Sequence, residues 1–233
     1  MLRSILAVWM VSGLASILSV AQLPATGLKT DVAQTSIGEL RITPLDGPGF
    51  LLAWAGREIY VDPFKAEDFQ GAWPKADLIL LTGAANPSAS AKLHKPATKV
   101  VAPGTIPRGS TRVLRLANLG KPVQIPVEAV PTTAPATEQG YVLRLGNTRI
   151  YISGPTPCEA GQLVEVKIGI AFVALSTSPP ITPQAAAVCI SYLAPQEVYP
   201  YLAEGNAVQA FTAALQPAHN IDVRVRDWHP SVR

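Results

Sequence analysis

Ala76-Asp77-Leu78-Ile79-Leu80-Leu81-Thr82-Gly83-Ala84-Ala85-Asn86-Pro87-Ser88-Ala89-Ser90 is the stretch on which the fold turns. Leu78 to Leu81 form a short, continuous apolar run, as expected of a strand covered on both faces in a layered α/β fold. The run ends in a loop of small residues, at the place where such folds usually carry their chemistry. Two readings follow: a site stripped of its reactive side chains, or an ordinary turn.

The segments before the run pair up around it. Leu40 to Leu45 alternates as a half-buried strand, Asp46-Gly47-Pro48-Gly49 turns the chain, and Phe50 to Trp54 continues as a second strand. Ala55-Gly56 is a tight-turn signal, so Ile59-Tyr60-Val61 returns as the partner strand and ends at Asp62-Pro63. A second copy lies ninety-one residues further on, with Ile150-Tyr151-Ile152 in register with Ile59-Tyr60-Val61. It comprises Tyr141 to Leu145, a Gly146-Asn147 turn, Ile150 to Ile152 and Gly154-Pro155. Two matching hairpins predict an internal duplication in which each half supplies a sheet, the sheets stack, and helices lie outside.

Between the hairpins the pattern predicts a weak helix over Ser88 to Leu93. Strands are predicted at Lys99 to Ala102, Thr111 to Leu116, Pro122 to Ile125 and Val127 to Val130. The last of these enters the polar loop Pro131 to Thr137, of the kind that borders a cleft. Gly104 to Ser110 lacks the spacing and lysine of a phosphate cradle and reads as a turn. After the second hairpin come a strand at Ile170 to Leu175 and a helix opened by Thr182 as N-cap, with Pro183 at its first position and Ala185 to Leu193 as its body. Gln196 to Tyr199 and Ile221 to Val225 read as strands, and Asn206 to Leu215 as an amphipathic helix with Val208, Phe211 and Leu215 on one face.

With 233 residues, 48% hydrophobic and 15% charged, the chain is long enough for one domain with a substantial core. No composition break divides it, so residues 39–233 are expected to form a single domain behind a flexible lead-in over 22–38. The net charge is +3 and the basic residues are scattered, so no nucleic-acid footprint is indicated. Residues 1–21 read as an export signal: Arg3 supplies the positive start, Ile5 to Leu18 the apolar centre, and Ser19-Val20-Ala21 the cleavage site. The alternative is an uncleaved membrane anchor, because the apolar run approaches spanning length. Either way the folded part is expected outside the cytoplasm, periplasmic or extracellular. Cys158 and Cys189 are the only cysteines. They can pair in an oxidising compartment, although Cys189 in an apolar helical pattern also suits a small buried hydrophobe.

Taken in order, these segments resemble the metallo-β-lactamase-fold superfamily, within it the lactonase-like branch that includes L-ascorbate-6-phosphate lactonase. The resemblance rests on Ile59-Tyr60-Val61-Asp62-Pro63-Phe64, on Lys75 to Thr82, on Glu128-Ala129-Val130-Pro131 and on Arg149-Ile150-Tyr151-Ile152-Ser153-Gly154. Two later anchors are Ile181-Thr182-Pro183-Gln184-Ala185-Ala186 and Val198-Tyr199-Pro200-Tyr201. It implies an α/β (α+β) four-layer αβ/βα sandwich, two stacked mixed β-sheets with helices outside. It also implies where metal ligands should stand. The family's H-x-H-x-D-H motif falls on Gly83, Ala85, Pro87 and Ser88, its later aspartate on Pro155 and its last histidine on Leu202. The loop histidine falls near Thr133 or Ala134, and the branch's turn histidine near Gly47. Zinc binds through imidazole, thiolate or carboxylate, and Gly, Ala, Pro and Leu supply none of these. Ser88 offers a neutral hydroxyl, a poor competitor for a divalent ion in water.

No substitute set stands out. His94, His219 and His229 are not at ligand spacing, and Asp227 with His229 makes two donors where zinc needs three or four. Asp46 and Asp62 are the acids nearest the implied cleft, with Glu159 a third weak candidate for general-base work; the bland reading makes Asp46 a turn former and Asp62 a strand-end cap. Asn86, Thr132 and Thr156 are candidates to line a polar pocket. No nucleophile elbow, phosphate loop, dinucleotide fingerprint or C-x-x-C is present. The expectation is therefore an exported superfamily member without metal or other cofactor, acting as a binding or scaffold module toward a small molecule or protein. It would touch a membrane only if its N-terminal segment is retained. The alternatives are a metal-independent hydrolase or lactonase using Asp46, Asp62 or Glu159, and an unrelated structural task at the cell surface.

Overall fold

In a computed structural model the described residues are 30–45, 49–64, 73–83, 90–117, 121–156, 163, 167–175, 182–201, 203, 205–215 and 220–226. The N-terminal segment, Asp46, Gly47, the loop with Ala85, Asn86, Pro87 and Ser88, Cys158 and Glu159, Leu202, His219 and the Asp227 to His229 tail lie outside them.

Among the described residues thirteen strands form two sheets. The first is β1 (Asp31–Thr35), β2 (Gly38–Pro44), β3 (Phe50–Trp54), β4 (Arg57–Val61), β5 (Leu78–Leu80) and β6 (Lys99–Val101), hydrogen-bonded in that order. The second runs β7 (Thr111–Leu116), β8 (Val123–Ala129), β9 (Tyr141–Leu145), β10 (Thr148–Ile152), β11 (Ile170–Ala174), β12 (Glu197–Tyr201) and β13 (Asp222–Val223). In each sheet the first four strands are antiparallel and the later ones parallel. The sheets are therefore mixed and repeat one plan, as the hairpin register predicts.

The stacked faces bury one apolar layer, in which Phe50, Leu52 and Val61 of the first sheet share a cluster with Tyr141, Ile152, Phe172 and Tyr201 of the second. The Phe50 ring lies flat on Phe172 at 4.0 Å and edge-on to Tyr201 at 5.8 Å. Alternation explains β5: Leu78 and Leu80 join this inner layer while Ile79 packs on the outer face beside Tyr60 and Leu93. The outer face of the second sheet is covered by α1 (Pro183–Leu193) and α2 (Ala207–Leu215), which insert Ala186, Ile190, Phe211 and Leu215. The Thr182 hydroxyl caps α1 by accepting from the Ala185 N–H at 3.1 Å. The architecture is the stacked-sheet sandwich with helices outside that the resemblance implies.

Two local features differ from the sequence expectation. Asp31–Thr35, assigned to a flexible lead-in, is β1, paired with β2 along its length and anchored by an Arg226–Asp31 ion pair at 2.7 Å. Pro122–Ile125 and Val127–Val130, read as two strands, are one strand, β8, running through Pro126. The β8–β9 ladder holds Val127 to Ala129 only, so Pro126 stands where β8 has no partner on that side and its missing N–H breaks no bond there. Of the helix expected over Ser88 to Leu93, the described Ser90 and Ala91 are helical, and Leu93 N–H donates to the Ser90 carbonyl at 2.9 Å in the turn that follows. Cys189, on α1, is buried and disulfide-bonded.

Candidate functional site

The parallel strands of both sheets point their C-terminal ends to the same end of the sandwich, and there the two halves use matching devices. Asp62 N–H donates to the Leu80 carbonyl and Ser153 N–H to the Phe172 carbonyl, each at 3.0 Å. Each side chain then reaches the next strand. Asp62 Oδ1 accepts from Thr82 N–H at 2.7 Å, and Ser153 Oγ accepts from Ala174 N–H at 2.9 Å. Thr82 Oγ1 also donates to Asp62 Oδ2 at 2.6 Å, so both carboxylate oxygens are engaged by one residue. Asp62 has φ of +44°, a left-handed conformation that Asp tolerates better than most residues. Burial pushes its carboxyl up to about 6, with the two Thr82 hydrogen bonds pulling the other way. Part of its surface still meets solvent, so it forms a floor beneath the strand ends rather than a sealed interior group.

Above this floor the halves touch. Gly154 has φ of +60°, and a Cβ there would stand 2.5 Å from Thr82 Cβ, so only glycine fits. A Cβ added at Gly83 would meet Pro155 Cγ at 3.4 Å, ordinary van der Waals contact. Gly83 and Pro155, where the resemblance puts the first histidine of the motif and the later aspartate, are thus neighbours in space, and what faces Gly83 is a pyrrolidine ring. Gln139 N–H donates to the Thr82 carbonyl at 2.8 Å, bringing the 131–139 loop onto the same strand end.

That loop is held by residues that sequence reading passes over. The Arg108 guanidinium donates to the carbonyls of Thr132 (2.9 Å), Ala134 (2.8 Å), Pro135 (2.7 Å) and Glu138 (3.2 Å), and Nε to Gln139 Oε1 at 3.3 Å. Gln139, fully buried, donates from Nε2 to the Val130 and Gly140 carbonyls. Beneath, the Tyr141 hydroxyl is buried and without a hydrogen-bond partner among the described residues. Desolvation raises its pKa and that of Tyr201, and the charge of Asp62 adds to both. Tyr141 is the duplicate of Phe50 at the ninety-one-residue offset, and a tyrosine where the other half has phenylalanine is the one signal that could have found it.

The remaining candidates have local partners. Thr156 Oγ1 donates to the Ser153 carbonyl at 2.6 Å and is buried; Thr132 Oγ1 accepts from Ala134 N–H at 3.1 Å within its own turn. His94 is exposed on a turn. Asp46, Asn86 and Glu159 lie outside the described residues.

A divalent metal does not fit these residues. Gly83 and Pro155 face each other and supply no side-chain donor, and among the described residues no group of three His, Cys, Asp or Glu is placed to hold an ion. Glu58 and Asp77 lie at the other end of β4 and β5, where Asp77 pairs with Lys95 at 2.7 Å and Glu58 is pushed up to about 7 by desolvation and then by Asp77.

Comparison with known proteins agrees with this architecture. A family model described as a beta-lactamase superfamily domain matches residues 41–201. The chain is similar to a solved Parabacteroides distasonis protein named as a metal-dependent hydrolase, at 27% identity and TM-score 0.73, covering 86% of this chain and 99% of that one. A Thermotoga maritima protein named as a zinc-dependent hydrolase of the metallo-β-lactamase superfamily superposes at TM-score 0.57 with 16% identity, covering 80% and 97%. A metallo hydrolase of Ignicoccus hospitalis does so at 0.56 and 16%, covering 80% and 94%. No curated protein matches the chain. With two stacked sheets, a duplicated strand-end device and a family match over most of its length, the chain belongs to the metallo-β-lactamase-fold superfamily.

Proposed function

We propose that this chain is an exported, hydrolase-like superfamily member that works without the family's metal, as a binding or scaffold module. The observation that carries the reading is the placing of Gly83 opposite the Pro155 ring, 3.4 Å from where a Cβ at position 83 would stand, at two positions where metal-holding side chains are implied. Without donors there is no Lewis acid and no activated water, so the family's route to hydrolysis has no starting point. Asp62 is a poor replacement, because both of its oxygens accept from Thr82 and the carboxylate is tied to the neighbouring strand end.

Export is supported by the N-terminal pattern and by the disulfide at Cys189, since structural disulfides persist in oxidising compartments. Sequencing the N-terminus of the protein recovered from the periplasm or medium checks it, with Gln22 expected as the first residue. For catalysis, a screen of esters, lactones and phosphoesters with and without added zinc, manganese or iron is expected to give no saturable turnover. Turnover that tracks added metal would refute the reading, and metal-independent turnover abolished by Asp62→Asn would point to a carboxylate mechanism instead.

A further inference from the structure

The opposite end of the sandwich carries a groove of about 530 Å³. Its origin lies in β8. The β8–β9 ladder stops at the Val127–Leu143 pair because Pro126 has no N–H to continue it, so Val123 to Pro126 and Arg144 to Gly146 run on unpaired with each other. The groove occupies this split and is closed from the other sheet by Ile37 and Trp54.

Its frame is fixed. The β1–β2 and β9–β10 turns lock together, Ser36 N–H donating to Asn147 Oδ1 at 2.8 Å and Asn147 N–H to Ser36 Oγ at 3.0 Å. Gly146 has φ of +62°, and a Cβ there would stand 2.7 Å from Ser36 Oγ. The floor is apolar, because Trp54, almost fully buried, spends its indole N–H on Thr35 Oγ1 at 2.9 Å. Pro122, Pro126 and Ile37, the last 60% exposed, complete the apolar lining.

The charge is of one sign. Lys121 and Arg144 are exposed on the lining, and among the described residues no carboxylate lines the groove and neither cation is ion-paired. Arg144 Nε donates to the Gly146 carbonyl at 3.3 Å, which holds the guanidinium at the rim. Behind Lys121 lies Arg57, 4% exposed, donating to the carbonyls of Gly56 (2.9 Å) and Lys121 (2.8 Å). Its Nε–H has no hydrogen-bond partner, and among the described residues the guanidinium makes no ion pair. A buried guanidinium without a counter-ion is costly, and its field reaches a neighbouring cleft with little screening.

We propose that this groove binds a small amphipathic anion, an apolar chain or ring ending in a carboxylate or phosphate. Trp54, Ile37 and the prolines take the apolar body, and Lys121 and Arg144 take the head in the potential that Arg57 reinforces. The volume suits a drug-sized ligand. The groove is remote from the strand-end cleft, so the proposal stands or falls independently of whether that cleft uses a metal.

The test is calorimetric titration of the mature chain with decanoate, decyl phosphate and decanol, with tryptophan fluorescence of the chain and of its Trp73→Phe, Trp228→Phe variant as a second readout. One saturable site is expected for at least one of the two anions, ten-fold or more tighter than for decanol and weakened by salt. The exposed double reversal Lys121→Glu with Arg144→Glu should weaken it ten-fold or more, and Ile37→Asp should weaken anion and alcohol alike. A preference between the two anions identifies the head group. Absence of saturation up to millimolar ligand, equal affinity for decanol, or indifference of a folded double variant to the charge reversal overturns the proposal.

Discussion

Asp62 accepts both polar hydrogens of Thr82, while its counterpart Ser153 accepts the Ala174 N–H in the other half, so the same strand-to-strand tie is made once by a carboxylate and once by a hydroxyl. Removing the carboxylate strands two donors on a buried residue. Asp62→Ala is therefore expected to cost roughly 2–4 kcal/mol in urea denaturation, and Asp62→Asn, which keeps one acceptor and tolerates the left-handed backbone, roughly half of that. Glu58 makes a cleaner probe of pH. Its folded-state pKa of about 7 lies above the ordinary 4.5, through desolvation first, then Asp77, against the opposing Lys95. A raised pKa means that the stability it contributes is complete below pH 4.5 and is lost as pH rises through about 7. Asp62, raised to about 6, has the same sign over a lower window. Glu58→Gln should accordingly match the parent protein at pH 4 and exceed it by roughly 1–3 kcal/mol at pH 8. Equal pH profiles for the two proteins would contradict this.

At the scale of elements, the 131–139 loop owes its place to Arg108, whose planar guanidinium meets four carbonyls and one side-chain amide. Arg108→Ala is expected to speed amide hydrogen exchange in that loop by roughly ten-fold or more while leaving the sheets unchanged, and Lys, without the fork, should not restore protection. Uniform loss of protection across both sheets would instead make Arg108 a global support. The sequence shows the loop and its polarity but not this clamp, because five contacts 24 to 31 residues away leave no local pattern. The same limit explains β8. Pro126 reads as a break when judged alone, and it is tolerated only because the neighbouring ladder has already ended, which is a fact of pairing. By contrast β3, β4, β9, β10 and α1 are legible, because alternation, turn residues and a Thr-Pro helix start are local signals.

At the scale of the whole molecule, the duplicated plan was legible from three residues in register, since two copies of one hairpin imply two like sheets. The groove at the far end was not, because it depends on where a ladder stops and on which turns meet across the sandwich. The disulfide at Cys189 is a molecular constraint of the same kind. With Cys158 the only other cysteine, no free thiol should react with Ellman's reagent in the denatured, unreduced chain and two should react after reduction, which is expected to lower stability by roughly 2–4 kcal/mol. One free thiol in the unreduced chain would contradict the pairing.

The superfamily fold keeps its strand-end geometry here while Gly83 and Pro155 offer a metal no side-chain donor. The direct measurement is elemental analysis of the mature protein purified without chelator, then incubated with zinc, manganese or iron and desalted. The expected result is far less than one equivalent of any of them per chain and no change in melting temperature on their addition. One equivalent of tightly held metal, with a matching rise in melting temperature, would contradict it.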